Sequence, residues 1–163
     1  MRNKPIWTAL LMCLSLLFTA GCLFDPVQDD LIAYINDRVK PLAPLEAEAM
    51  DAYDSVTGVN YKNDAETLTV IRDTVMPKYR DFITKLEAVQ TDTPEVRAAH
   101  EIYIAAANKQ YNAMVQITAA LEQQDVEMIH KANEMLDEGR KGLRDYQNQL
   151  RELADAHGVT LAE

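Results

Sequence analysis

Cysteine, glycine, proline and tryptophan are all scarce in this chain: of 163 residues two are cysteine, five glycine, six proline and one tryptophan. Two cysteines exclude the disulfide framework of small secreted domains and any metal site built from paired Cys-x-x-Cys motifs. Little glycine and proline, beside abundant Ala, Leu, Glu, Gln, Lys and Arg, excludes collagen-like and low-complexity chains and favours helix over sheet. Basic residues are outnumbered too, with 16 Lys and Arg against 26 Asp and Glu and a formal charge of −10. Such a surface lacks the cations that displace counterions from nucleic acid, and anionic lipid headgroups repel it. No nucleic-acid partner is expected. The chain contains no phosphate loop, dinucleotide fingerprint, nucleophile elbow or haem-attachment sequence. Its acids fall mainly on polar helix faces, so the reading is of a non-enzyme without a cofactor.

The one long apolar run lies at the N-terminus. Residues 1–22 read MRNKPIWTALLMCLSLLFTAGC, with basic Arg2 and Lys4, an apolar stretch from Ile6 to Phe18, and small residues before Cys22. The charges hold the start of the chain on the cytoplasmic side while the apolar run enters the export channel. That run is shorter than the roughly 20 residues of a permanent span. Ala20-Gly21-Cys22 resembles the end of a lipobox, although Thr19 stands where leucine is commoner. The resemblance to a bacterial lipoprotein implies cleavage after Gly21 and lipidation at Cys22, with acyl chains such as palmitate. Cys13 would leave with the leader, so the mature chain could form no internal disulfide. Loss of Arg2 and Lys4 takes the formal charge to about −12. Leu23, not Asp, follows Cys22, which is compatible with the outer membrane of a two-membrane cell; in a one-membrane cell the protein would sit on the outer face of the cell membrane.

The expected organisation is a signal peptide at 1–21, a lipidated N-terminus and short tether at 22–26, a helical bundle domain at 27–158 and a tail at 159–163. Four amphipathic stretches support the bundle. Leu31, Ile35, Val39, Leu42, Leu45, Ala49, Ala52 and Val56 recur at three- and four-residue steps, the period of a helix with one apolar face. Pro41 and Pro44 predict a kink between Arg38 and Leu45, because proline lacks an amide donor and clashes with the preceding turn. After turn residues 57–63, with Asp64 as the expected cap, a second stripe runs Leu68, Ile71, Val75, Tyr79, Phe82, Leu86, Val89, and Pro77 should bend it. Thr93-Pro94-Glu95 reads as an N-cap, a first-turn proline and an acid facing the helix dipole. The third stripe is Val96, Ala99, Tyr103, Ala106, Gln110, Met114, Ile117, Leu121. Asp125 caps a fourth, Ile129, Ala132, Leu136, Gly139, Leu143, Tyr146, Leu150, Leu153, whose spacing averages seven residues per pair of turns. His157-Gly158 supplies a stop. An all-α, up-down-up-down four-helix bundle with proline kinks in its first two helices follows.

Cys22 carries the clearest chemistry. Glu127 and His130 have the Glu-x-x-His spacing of bundle metal sites, but one such motif is too few, and the stripe turns Glu127 outward with His130 at its flank. His100 sits at the edge of the third stripe and reads as a partly buried histidine with one hydrogen-bond partner. The methionines at 50, 76, 114, 128 and 135 are scattered and read as core filling. Seven tyrosines against three phenylalanines is an excess. Tyr53 and Tyr61 flank the turn at Gly58 and mark the binding patch to inspect. In general layout the chain resembles small helical lipoproteins of bacterial envelopes, some described as wall-binding. That likeness implies a membrane-anchored, non-catalytic protein that binds an envelope protein or cell-wall component, or serves as a spacer. The alternative is a bundle carrying a ligand or metal between its helices.

Overall fold

The structure, a computed structural model, describes residues 24–161, so the leader and Cys22 lie outside the described residues. The all-α expectation holds: the described residues form four helical runs and no strand. The first run joins α1 (Pro26–Ala33) to α2 (Ala43–Asp54) through a π turn at Tyr34–Val39 and a 3-10 turn at Lys40–Leu42. The second joins α3 (Asp64–Val70) to α4 (Met76–Glu87) through a π turn at Ile71–Val75. The third and fourth are unbroken, α5 (Pro94–Gln123) and α6 (Val126–Ala156).

Both π turns precede a proline. Each closes on an amide five residues after its carbonyl, Lys40 N–H to Ile35 and Met76 N–H to Ile71, just before Pro41 and Pro77. A wider turn relieves the clash of the proline ring with the carbonyl four residues back, and the helical run continues.

Local caps fix where each run begins. Asp25 accepts from the amides of Val27 and Gln28, and Pro26 occupies the first turn of α1, where its missing donor costs nothing. At the second run the cap is Asn63, not Asp64: the Asn63 side-chain Oδ1 accepts from Glu66 N at 2.9 Å. Asp64, one residue into the helix, puts its charge against the positive end of the dipole instead. Thr93 precedes α5 in extended conformation as expected, yet its side chain caps nothing. The hydroxyl donates to Asp30 at 2.7 Å, a bond across the fold that outcompetes the local one. Asp125 caps α6 through Met128 N, and Gly158, at φ +65°, turns the chain after His157.

The core follows the apolar stripes. Leu31, Tyr34, Ala49, Ile71, Val75, Tyr79, Phe82, Leu86, Val96 and Met114 are essentially inaccessible. Packing is closest between α5 and α6, and small residues are the reason. Ala99, Ala106, Ala113 and Ala120 recur every seven residues along the buried face of α5, and α6 presents Ala132 and Gly139 at the same interval. A Cβ at Gly139 would lie 2.6 Å from Gln110 Cγ, and one at Gly142 2.8 Å from Ala106 Cβ. Glycine there lets the backbones approach. Across the middle of the bundle runs a chain of rings: Tyr79 against Phe82, Phe82 against Tyr103, and Tyr103 stacked on Tyr146 with centroids 4.5 Å apart.

Besides pairs along the seams, such as Lys78–Glu48, Lys109–Glu138 and Asn108–Glu87, two groups of polar contacts tie the runs together at the ends. One gathers Asp25, Asp30, Arg38, Asp92, Thr93 and His157. The other gathers Asp64 with Gln124 at the far end of α5. A helix of 30 residues separates Thr93 from Gln124, which at 1.5 Å per residue is about 45 Å. No described helix is long and apolar enough to cross a membrane.

Candidate functional site

The polar residues buried in the bundle are the first place to look for chemistry. Asp30 is almost fully buried and receives hydrogen bonds from the Asp92 amide, the Thr93 amide and hydroxyl, and Arg38, whose guanidinium lies 2.9 Å away. Burial opposes its charge, but the Thr93 and Asp92 donors and Arg38 outweigh burial and hold the carboxyl below the usual range. All acceptor positions face partners, so this is a structural clasp.

A second set lies among the rings. The Tyr34 hydroxyl bonds His100 Nδ1 at 3.1 Å, and Tyr103 donates to Glu46 at 2.6 Å. Burial pushes the tyrosine hydroxyls up, Tyr146 to about 12 and Tyr34, Tyr79 and Tyr103 further. It also raises Glu46 and lowers His100, favouring the uncharged form of each. The Tyr79 hydroxyl, His100 Nε2 and Gln110 Nε2 have no hydrogen-bond partner among the described residues. The Tyr79, Tyr103 and Tyr146 hydroxyls all lie close enough to the Glu46 carboxyl to feel its charge. His100 is thus buried with one partner, while Glu127 and His130 are both exposed on α6. No group of three or more potential metal ligands occurs among the described residues.

A cleft with room for a ligand and with polar side chains on its walls lies at the end of the bundle that holds Asp64. Tyr53 in the last turn of α2, Tyr61 in the following loop, and Arg140 and Asn133 on α6 line one open cleft of about 660 Å³, within the size range of small-ligand sites. Ile117, Leu121, Ile129 and Leu136 form its apolar floor. The structure therefore brings Tyr53 and Tyr61 to the same cavity.

The loop that shapes this cleft is held by side chains. After α2 ends, Ser55, Thr57 and Asn60 donate to the carbonyls of Ala52, Tyr53 and Asp54, satisfying acceptors that the helix end leaves open. Gly58 takes φ +55°, a left-handed turn into open space. Thr67 of α3 closes the loop by donating to the Val56 carbonyl.

Tyr53 is buried with its edge on the cleft; burial raises its hydroxyl and nearby Arg140 works against that rise. Tyr61 is half exposed, and its hydroxyl donates to Asp64 at 2.9 Å, which fixes the ring at the rim. Asp54, Asn133 and the Tyr53 hydroxyl have no side-chain hydrogen-bond partner among the described residues, and Arg140 commits one donor to Asp137. Large exposed apolar side chains gather around the same end: Val59 is fully exposed at the loop tip, and Val126 begins α6. Sequence periodicity could not reveal Asn133 and Arg140, because both belong to the polar face of α6 and join the tyrosines only through packing.

At the other end a more aliphatic groove of about 710 Å³ lies between the first run and the C-terminal tail, lined by Ile32, Ile35, Val39, Leu150, Val159 and Leu161 among others. Phe24 and Ile32 are exposed there. In comparisons with known proteins the chain matches no family model, no curated protein and no solved structure.

Proposed function

We propose that this chain is a lipid-anchored, non-catalytic binding module of a bacterial envelope, attached through Cys22 and presenting the Tyr53–Tyr61 cleft to an envelope protein or cell-wall component. The observation that carries the binding role is a cleft that joins an apolar floor to polar groups without side-chain partners, Asp54, Asn133 and the Tyr53 hydroxyl, whereas the groove at the other end is mainly aliphatic. The anchor rests on the leader and on Ala20-Gly21-Cys22. With Asp25 and His157 at one end and Asp64 and Gln124 at the other, we read the four runs as up-down-up-down, the first two bent at their π turns. The cleft then faces away from the bilayer by about the length of α5, about 45 Å. Phe24, Ile32 and the aliphatic groove face the bilayer side, suited to an interface where charge gives no attraction.

Two measurements test this. A photo-reactive phenylalanine at Tyr61 should crosslink a defined envelope component in intact cells, whereas the same group at exposed Lys141 should not. Equal adducts from both positions would remove the binding role. The Cys22→Ala protein should leave the membrane fraction; its retention after a high-salt wash would remove the lipid anchor.

A further inference from the structure

The two walls of the cleft carry opposite charge. On the wall formed by the end of α2, the loop and α3 stand Asp54 and Asp64, beside Tyr53 and Tyr61. Asp54 has no ion-pair partner among the described residues, and Asp64 meets only neutral donors, Tyr61 at 2.9 Å and Gln124 at 3.3 Å. The facing wall, on α6, carries Arg140 and Asn133. Arg140 uses one N–H on Asp137 and keeps the rest of its planar fork. Between the walls lies the aliphatic floor.

From this polarity we propose that the cleft binds a short zwitterionic peptide, its ammonium group against Asp54, Asp64 and the Tyr61 ring, its carboxylate against Arg140 and Asn133, and its aliphatic atoms on the floor. The proposal rests on the binding-module reading and names its ligand. Each charged wall offers what one end of such a peptide requires: carboxylates and an aromatic face for the ammonium, a forked donor and an amide for the carboxylate. A neutral glycan would cover both walls without answering their charges, leaving desolvated ions unpaired. A polyanion would meet Asp54 and Asp64 within a protein of formal charge −10 and be repelled.

The test uses the protein as the cell makes it, purified in detergent with its seven tyrosines replaced by 3-fluorotyrosine and followed by fluorine NMR. The probes are the tetrapeptide Ala-Glu-Lys-Ala with free termini, the same peptide acetylated on both amines and amidated at its C-terminus, and a tetramer of N-acetylglucosamine. The free peptide should shift the Tyr61 and Tyr53 signals saturably, and the blocked peptide should not. Arg140→Gln and Asp54→Asn should each weaken the free peptide at least tenfold, with the five other tyrosine signals unmoved as proof of an intact fold. The proposal is overturned if millimolar free peptide leaves Tyr61 unmoved, if the blocked peptide shifts it equally, or if the sugar tetramer shifts it instead. Should Tyr61 crosslink an envelope component while the peptide fails, the ligand class falls and the binding module stands. Failure of both removes both.

Discussion

The two ends of this bundle are built on different principles. At the Asp30 end, a buried carboxylate takes donors from Arg38, Asp92 and Thr93, and Asp25 meets His157 at 2.7 Å, so that three of the four runs are tied where they meet. At the Asp64 end the ties are exposed and few, a cavity opens, and polar groups face it without partners. The contrast locates stability at the Asp30 end and, on the reading proposed above, recognition at the cleft. Satisfied buried charge holds a structure together, and a surface with unmet groups is available to something else.

The largest expected effect therefore comes from the first end. Asp30→Ala leaves the Asp92 amide and the Thr93 amide and hydroxyl without their acceptor, while Arg38 keeps Asp92 and the Gln90 carbonyl, and should cost about 3–5 kcal/mol in urea unfolding. A loss below about 1 kcal/mol would mean that this end is no clasp. The effect should also depend on pH. Because the folded Asp30 carboxyl titrates below its ordinary 3.8, its contribution is present above that value and is lost as pH falls through the lower folded one. The stability gap between the protein and Asp30→Asn should stay level near neutrality and close in strong acid.

Next comes the α5–α6 seam that joins the ends. Gly142→Ala places a methyl 2.8 Å from Ala106 Cβ, and overpacking should outweigh the gain in helix propensity for a net loss of about 1–2 kcal/mol. An unchanged melting temperature would show that the helices can separate cheaply.

Glu46 should behave in the opposite sense to Asp30. Its carboxyl is raised by burial despite the Tyr103 bond, so the folded state favours the protonated form. Glu46→Gln keeps an acceptor for Tyr103 and should be slightly more stable at pH 7. The difference should shrink as pH falls through the raised folded value and end below 4.5, the ordinary value. The smallest effects belong to the cleft: Tyr61→Ala and Arg140→Gln should change stability by no more than about 0.5 kcal/mol. A larger loss at Tyr61 would show that the rim has a structural role after all.

The helical runs were legible because apolar residues recur at helical spacing: the inward faces of α5 and α6 follow it from Val96 to Ile117 and from Ala132 to Leu153. Asp30 was legible in principle as well. It falls with Val27, Leu31 and Tyr34 on one face, and an acid on an apolar stripe signals a buried partner. The partners themselves were not legible, since Thr93 lies 63 residues away and a local cap is the simpler reading of its hydroxyl. Asn63 and Asp64 are adjacent residues that both suit a cap, and only backbone geometry separates them. At the cleft, the tyrosines showed through their excess and their place beside Gly58, whereas Asn133 and Arg140 look like any other solvated residues of α6.

One contact has a consequence for the order of the chain. Gln28 donates to the His157 carbonyl at 2.7 Å while Asp25 holds the His157 ring, so the two described termini of the domain lie side by side. Topologically the domain is almost a closed ring. Joining residues near 25 and 158 by a short linker and reopening the chain at the exposed tip, between Gly58 and Val59, would rearrange the sequence while keeping every helix pairing. Under the lipid-anchored reading proposed above, a permutant with the anchor on its new N-terminus would hang from the lip of the cleft, with the bundle turned over.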